Sequence, residues 1–171
     1  TLTLNPTSIK TEPGRSFTIK GIVRDADGLK SIRLVNKNLY LDKTIDFLTY
    51  YPDTLLHEYQ LNYTYPGNEA WSENDTFSIE ITVEDVGGKT TTQIVTVTTN
   101  GDFSKPAFTS APSSELTVLL QNPKLSLNTK VSDNKNLGYI LVSVPGLNVR
   151  DSIPVSGKSY QLQKEYTIPA N

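Results

Sequence analysis

The 171-residue chain carries 16 basic and 18 acidic residues, a net charge of -2 at pH 7, and neither cysteine nor methionine. This balance supplies no basic field for phosphate backbones, so we expect no nucleic-acid partner. The lack of cysteine excludes disulfides, thiolate nucleophiles and cysteine metal sites. No apolar run approaches the roughly 20 residues of a membrane helix, so we expect no membrane span in this segment.

The first hundred residues alternate apolar and polar side chains in short runs, as strands with one buried face do. Strands are predicted at 2–10, 17–24, 29–35, 39–45, 59–65, 76–84 and 90–99. Turn sequences rich in glycine, proline and aspartate separate them. Seven short antiparallel strands predict an all-β, immunoglobulin-like or fibronectin-III-like sandwich with strands A, B, C, C′, E, F and G.

Two loop motifs add a resemblance to a known group of repeats. Asp25-Ala26-Asp27-Gly28-Leu29 joins B to C, and Val83-Glu84-Asp85-Val86-Gly87-Gly88-Lys89 joins F to an alternating last strand. With these motifs the module resembles the Ig-like, cadherin-like and fibronectin-like repeats of large bacterial surface proteins and lipoproteins. The resemblance implies a fold and a turn, and it carries no active site.

A shift of 108 positions places Phe17 on Leu125 and repeats the apolar pattern of residues 17–45 without a gap. We therefore expect tandem Ig-like sandwiches: a seven-stranded module over 1–100, a linker over 101–106, and a second module over 107–171. In the second module, strands A, B, C and C′ are predicted at 115–120, 125–131, 137–144 and 147–153, and Tyr160 begins strand E.

Residues 107–171 contain no counterparts of strands F and G, so the second sandwich is predicted to be incomplete at its C-terminal end. Without F and G, one sheet is reduced to C and C′ with an open hydrogen-bonding edge. We expect that these residues are a piece of a longer chain. The alternative is a pilin-like subunit that a donated strand completes.

Four carboxylates are candidate calcium ligands, because the B–C turn and the end of F cap the same end of such a sandwich. They are Asp25, Asp27, Glu84 and Asp85. Calcium takes six to eight oxygen ligands, and cadherin-like modules bind it at comparable loop ends. The alternative is structural, because aspartate before glycine is favourable turn chemistry. Apart from this calcium, no cofactor is expected.

Aromatic residues concentrate between Tyr40 and Trp71, and flat exposed rings are what sugar-binding modules offer to pyranose faces. Tyr50, Tyr51 and Trp71 are the candidate ligand contacts, since they lie in irregular segments rather than on a strand face. The segment 46–57 is an insertion relative to the second module. The alternative is that these rings pack over an open edge or a neighbouring module.

The sequence argues against an enzyme. His57 is the single histidine, and neither a Gly-x-Ser-x-Gly motif nor a glycine-rich phosphate loop is present. We expect a non-enzymatic spacer and adhesion-type interaction module of an exported bacterial surface protein. Its partners would be other modules and a cell-surface protein or glycan. The first alternative is the carbohydrate-binding module of a glycan-uptake lipoprotein, and the second is the pilin-like subunit.

Extracellular location follows from the same composition. The lack of disulfides favours a bacterial exterior over an animal one. Because the chain starts at Thr1 and not at methionine, we expect that its start is processed or trimmed. Any signal peptide, or lipid that anchors the protein to an outer membrane, would then lie outside this segment.

Overall fold

The computed structural model describes residues 1–119 and 121–169. The chain divides into two compact units, Thr1–Phe103 (unit 1) and Ser104–Asn171 (unit 2). No helix of the described residues has the length and apolar composition that crossing a membrane requires.

Unit 1 is a two-sheet sandwich with one short helix. Its elements are β1 (Leu2–Leu4), β2 (Ser8–Lys10), β3 (Phe17–Arg24), β4 (Leu29–Asn36), β5 (Leu41–Asp46), α1 (Phe47–Tyr50), β6 (Glu58–Tyr65), β7 (Thr76–Asp85) and β8 (Thr90–Thr98). One sheet has the order β1-β3-β6 and the other β2-β8-β7-β4-β5. These are the A-B-E and A′-G-F-C-C′ sheets of an immunoglobulin-like sandwich, which confirms the predicted all-β fold class.

The core of unit 1 lies between these sheets and is filled by alternate residues of each strand. On β7, every second side chain from Phe77 to Asp85 is buried. Ile19, Leu34 and Val97, from β3, β4 and β8, are fully buried against it. Burial of such side chains contributes about 1.5–3 kcal/mol each, so the period-two pattern determines which face each strand turns inward.

The first strand differs from its prediction, because residues 2–10 form two strands in different sheets. β1 pairs antiparallel with β3, whereas β2 pairs parallel with β8. Pro6 lies between them and has no N–H to donate to a ladder. The chain therefore crosses from one sheet to the other at this point and closes an edge of each.

Unit 2 consists of β9 (Ala107–Ser110), β10 (Lys124–Ser132), β11 (Tyr139–Val144), β12 (Val149–Pro154) and β13 (Ser159–Thr167), with a 3-10 turn at Pro145–Leu147. One sheet has the order β13-β10-β9, and β11 and β12 form the other. The A, B, C, C′ and E positions are thereby occupied among the described residues.

The strand A predicted at 115–120 is wrong. β9 occupies that position, and residues 115–119 make only an isolated bridge from Leu119 to Asn122. Leu120 lies outside the described residues. β13 pairs with the whole length of β10, and on the other edge β9 pairs with its last three residues, so β9 holds the strand A position.

Strand pairing in unit 2 repeats the register of unit 1, apart from a bulge between Lys130 and Val131 where β10 pairs with β9. Ile32 pairs with Ile45, and Ile140 pairs with Ile153, each 108 positions later. The same holds across the other sheet, with Leu2↔Val23 and Val23↔Tyr59 in unit 1 and Phe108↔Val131 and Val131↔Tyr160 in unit 2. Phe17 and Leu125 thus occupy equivalent strand positions.

Candidate functional site

The B–C and F–G turns of unit 1 lie side by side at one end of the sandwich. The N–H of Val86 donates a 3.1 Å hydrogen bond to the carbonyl oxygen of Gly28. Gly28 has φ +115°, which favours glycine, and the side chain of Leu55 fills the space that a Cβ would need. The two loop motifs therefore form one surface.

Three of the four predicted carboxylates converge on this surface. Asp25, Asp27 and Asp85 each offer a carboxylate oxygen, and these oxygens lie within 4.8 Å of one another. Asp85 is buried, whereas Asp25 and Asp27 are at least partly exposed. The cluster presents concentrated negative charge, with one member fixed in the sandwich.

Glu84 does not join the cluster. Its carboxylate accepts a 2.8 Å hydrogen bond from the Lys30 ammonium on the neighbouring strand. Successive residues of a strand point to opposite faces, so Glu84 and Asp85 cannot both turn toward the loop end while β7 remains regular. The sequence placed the two residues next to each other in the chain, and the pleat separates their side chains.

The oxygens of the cluster already serve as acceptors within the turns. Asp85 Oδ1 accepts the N–H of Lys89 at 2.8 Å, and Asp25 Oδ1 accepts the N–H of Asp27 at 2.9 Å. The Lys89 ammonium lies 3.7 Å from Asp27 Oδ2. Lys89 was missed as a member of this group, although its place after Gly87-Gly88 in the F–G turn is visible in the sequence.

His57 lies exposed at the same end and is held against the B–C turn. Its Nδ1 is 3.1 Å from the carbonyl oxygen of Asp25, and its own carbonyl oxygen accepts the N–H of Asp25 at 2.9 Å. The N-terminal ammonium of Thr1 donates to the carbonyl oxygen of Arg24 nearby. These contacts attach the chain start and the beginning of β6 to the turn.

Trp71 packs into unit 1, and it does not form an exposed platform. Its ring stacks on Tyr65 with the centroids 6.3 Å apart and an interplanar angle of 18°. Phe17 and Phe77 lie 6.3 Å and 5.4 Å from it. Trp71 therefore covers the core where β3 begins and β6 ends.

Tyr50 and Tyr51 are exposed and lie in and just after α1. The helix begins because Asp46 accepts the N–H groups of Leu48 and Thr49 with its side chain, a helix N-cap. Phe47 is buried and packs on Tyr59 at 4.7 Å between ring centroids. The inserted segment is thus anchored by Phe47 and displays the two tyrosines outward.

The structure does not bring Trp71 together with Tyr50 and Tyr51. The tyrosines lie at the end of the sandwich where β6 begins, and Trp71 lies at the end where β6 finishes. An eight-residue strand separates them, which is roughly 25 Å. The predicted set of three rings is therefore not one binding face.

Comparison with known proteins adds little to this description. No family model matches the chain, and no curated protein matches it. One solved structure that it resembles is described as fibronectin(III)-like modules of CbhA from Clostridium thermocellum, at 14% identity and a TM-score of 0.39, covering 95% of this chain and 78% of that one. A TM-score this low does not support a fold assignment, so the sandwich is assigned from the strand order of this chain.

Proposed function

We propose that this chain is a non-enzymatic spacer and interaction segment of an exported bacterial surface protein, built from tandem Ig-like modules joined around residues 101–106. In this proposal the protein is extracellular and is held at the outer membrane by a lipid outside the sequence described. Its partners are neighbouring modules and a surface protein or glycan.

The observation that carries the proposal is that the chain enters and leaves unit 1 at opposite ends. Thr1 is bound to Arg24 at the end of β3, while Gly101 donates to Thr11 and Thr99 donates to Asp75 at the other end. A unit that the chain enters at one end and leaves at the other adds its own length to the span of the chain. The recurrence of the strand register in unit 2 supports the same design.

The parallel pairing of β2 with β8 also suits unit 1 to resist stretching. β2 and β8 lie near its two ends in the chain and pair in parallel. Thr96 donates to Thr7 at 2.9 Å and Thr11 donates to Thr98 at 2.8 Å. A force applied through the termini therefore loads these bonds together, in shear, before the core is exposed.

Single-molecule stretching of the full chain tests this role. We expect unit 1 to unfold in one abrupt event that releases about 300 Å of chain, which is about 3.5 Å for each extended residue less the end-to-end length of the folded unit. Ile9→Pro removes an N–H that faces β8 and lowers the unfolding force. Lys10→Pro is the matched control, since alternate N–H groups of an edge strand face away from its partner. Gradual extension without a defined event would contradict the spacer role.

The exposed rings of Tyr50 and Tyr51 favour carbohydrate binding as a second candidate. A glycan array followed by isothermal titration measures it, with the double variant Tyr50→Ala and Tyr51→Ala as the test. Tyr40, exposed on another turn, provides Tyr40→Ala as the control. Binding that only the double variant abolishes would establish a sugar site, and its absence across the array would leave the spacer role.

A further inference from the structure

Strand β6 forms one edge of the β1-β3-β6 sheet of unit 1, and no described strand pairs with its outer side. The N–H of Arg24 and the carbonyl oxygen of Lys20 bond residues that flank β1, so the even residues of β3 face β1 and the odd ones face β6. On β6 the backbone groups of the odd residues therefore face β3, and those facing the open side belong to Glu58, Gln60, Asn62 and Thr64. Strands A to G of unit 1 are all in place, so this edge belongs to the sandwich itself.

This edge lacks the features that protect the other edges of unit 1. β1 and β2 are only three residues long, and β5 carries Asp42, Lys43 and Asp46. β6 has eight residues and no proline, and its one charged residue, Glu58, is paired with Arg24 at 2.7 Å. Charges, prolines and very short strands prevent edge pairing, so β6 is suited to pair with another strand.

Two exposed amide side chains lie along the outer face of β6. Gln60 and Asn62 make no side-chain hydrogen bond to a described residue. In unit 2, amides on the corresponding face of the sheet bond each other, from Gln161 to Asn128 at 2.6 Å. An amide carries donors and an acceptor, so a Gln60 that meets an Asn62 across an edge can form the same bond.

Exposed tyrosines flank both ends of the same edge. Tyr50 and Tyr51 are 61% and 43% exposed in the insertion that leads into the start of β6. Tyr40 is 97% exposed in the turn before β5, where the Tyr65 hydroxyl at the end of β6 donates to Leu39. Antiparallel pairing of two β6 strands brings the start of each beside the end of the other, so tyrosines of the two copies come together. Tyrosine is enriched at protein interfaces for its large amphipathic ring.

We propose that two copies of the chain associate through β6, antiparallel about Leu61, and join their three-stranded sheets into one. Even residues pair with even residues, because their backbone groups face the open side. With Leu61 on the two-fold axis, Gln60 lies opposite Asn62 of the second copy, and every even residue of the strand has a partner. A shift of two residues would place Pro66, which has no N–H, opposite Glu58. The opposite shift leaves the last even residue without a strand partner.

The inner face of the sheet follows the same register. Tyr59 lies opposite Tyr63 of the second copy, and both rings are partly buried at the margin of the core of unit 1. Aromatic pairs on neighbouring strands stabilise a sheet, so this pairing covers ring surface that a single copy leaves open. A second copy is the partner that fits, because β6 supplies both halves of each contact. The inference goes beyond the spacer role and does not depend on it.

Disulfide trapping tests the register, because the chain has no native cysteine. The full chain carrying Gln60→Cys is mixed with the full chain carrying Asn62→Cys and oxidised. Residues that exchange backbone hydrogen bonds across antiparallel strands have Cα atoms about 5.5 Å apart, which a disulfide tolerates. We therefore expect a cross-linked dimer that contains one chain of each kind.

Two controls accompany the mixture. Either variant alone sets its two cysteines two residues out of register, with Cα atoms about 9 Å apart, beyond the roughly 7 Å limit of a disulfide. We expect at least about tenfold less cross-linking from either alone than from the mixture. The second control mixes Lys20→Cys with Asn62→Cys, since Lys20 is exposed on the same face but lies on β3, behind the edge.

Analytical ultracentrifugation of the unmodified chain measures the association itself, and we expect a dimer whose fraction rises with concentration. The double variant Gln60→Lys and Asn62→Lys should be monomeric, because it sets lysine opposite lysine across the two-fold axis. Mixing it with the double variant Gln60→Glu and Asn62→Glu should restore the dimer. This rescue separates a loss of pairing from a loss of folding.

Three outcomes would overturn the proposal. The first is a single monomeric species at about 1 mM chain, which excludes even a millimolar dissociation constant and leaves the edge to solvent or to a polypeptide of another sequence. The second is cross-linking in either control as strong as in the Gln60→Cys and Asn62→Cys mixture. The third is an unchanged dimer in the double lysine variant. Stretching of a single molecule involves no second copy, so failure of this proposal and failure of the spacer role are distinguishable.

Discussion

At the scale of the residue, Trp71 was a candidate ligand contact, and in the structure its ring packs on the core of unit 1. It lies among Phe17, Tyr65 and Phe77, and a loop carries it there. Trp71→Ala should lower the free energy of unfolding of unit 1 by about 3 kcal/mol, because a large ring leaves a cavity when it is truncated. A urea titration of the full chain, followed by NMR signals of unit 1, measures the change.

Tyr50→Ala is the matched control for Trp71→Ala. The Tyr50 side chain is exposed, and exposed substitutions usually change stability by less than about 0.5 kcal/mol. Equal destabilisation by the two variants would show that the packing around Trp71 contributes no more than a surface contact does.

The carboxylate cluster is a second question at this scale. Asp25 and Asp85 already accept N–H groups of their own turns, and Lys89 supplies a positive charge beside Asp27. We therefore expect the thermal midpoint of the chain to be the same in excess chelator and in millimolar calcium. Calorimetry with both additions is the measurement. A midpoint that rises with calcium, and no longer does so in Asp27→Asn, would establish a metal site.

At the scale of the element, a tyrosine at the same register position of strand E donates a hydrogen bond in each unit. The acceptor lies in the turn before strand C′ in unit 1 and in strand C′ itself in unit 2. The Tyr65 hydroxyl donates to the carbonyl oxygen of Leu39, and the Tyr166 hydroxyl donates to Asp151 Oδ2 at 2.9 Å. The tyrosines pair with Phe17 and Leu125, which are 108 positions apart. The acceptor is neutral in unit 1 and ionisable in unit 2.

This difference predicts that the tyrosine hydrogen bond contributes a pH dependence to unit 2 and none to unit 1. The hydrogen bond from Tyr166, with Lys164 nearby, lowers the pKa of Asp151. A lowered folded pKa means that the stabilisation is complete above the unfolded value of about 3.9 and is lost as pH falls through the folded pKa. Tyr166→Phe should weaken this acid-induced loss, as measured by the NMR signals of unit 2 between pH 5 and about pH 2.

Tyr65→Phe is the control for the tyrosine hydrogen bond. Its acceptor is a carbonyl oxygen that does not titrate in this range, so the variant should shift the stability of unit 1 by a similar amount at every pH. Acid sensitivity of unit 2 that is unchanged in Tyr166→Phe would assign the effect to other carboxylates.

At the scale of the whole molecule, the boundary between the units is set by contacts that hold residues 101–103 on unit 1. The buried Glu12 carboxylate accepts the N–H of Phe103 at 3.1 Å, and the Arg15 guanidinium lies 4.5 Å from the centre of the Phe103 ring. Gly101 donates to the carbonyl oxygen of Thr11. The first residues after β8 are therefore part of the sandwich.

Glu12→Ala should weaken the attachment of residues 101–103 to unit 1. A hydrogen bond to a charged group contributes about 1.5–3 kcal/mol, so we expect unit 1 to lose roughly 2 kcal/mol of stability. Hydrogen exchange measured by mass spectrometry should show faster exchange at residues 101–103, with unit 2 unchanged. Exposed Glu69 provides Glu69→Ala as a control. Unchanged exchange at 101–103 in Glu12→Ala would contradict the assignment.

The fold class and the inner strands of both units can be predicted from the order of residues alone. Residues 17–24 are a strand in the structure, as the alternation predicts, and the pairing of Ile32 with Ile45 recurs in Ile140 with Ile153. Alternation of apolar and polar residues is a local property of the chain. It therefore survives in whichever sheet the strand joins.

Which strand edges and which side chains meet is a property of the folded molecule. Long-range contacts split residues 2–10 between two sheets, placed β9 where 115–120 was expected, paired Glu84 with Lys30, and packed Trp71 on the core far from Tyr50. Each of these depends on a partner distant in the chain. A local pattern specifies a strand and its buried face, while the partner that takes each edge is specified by competition among all the strands.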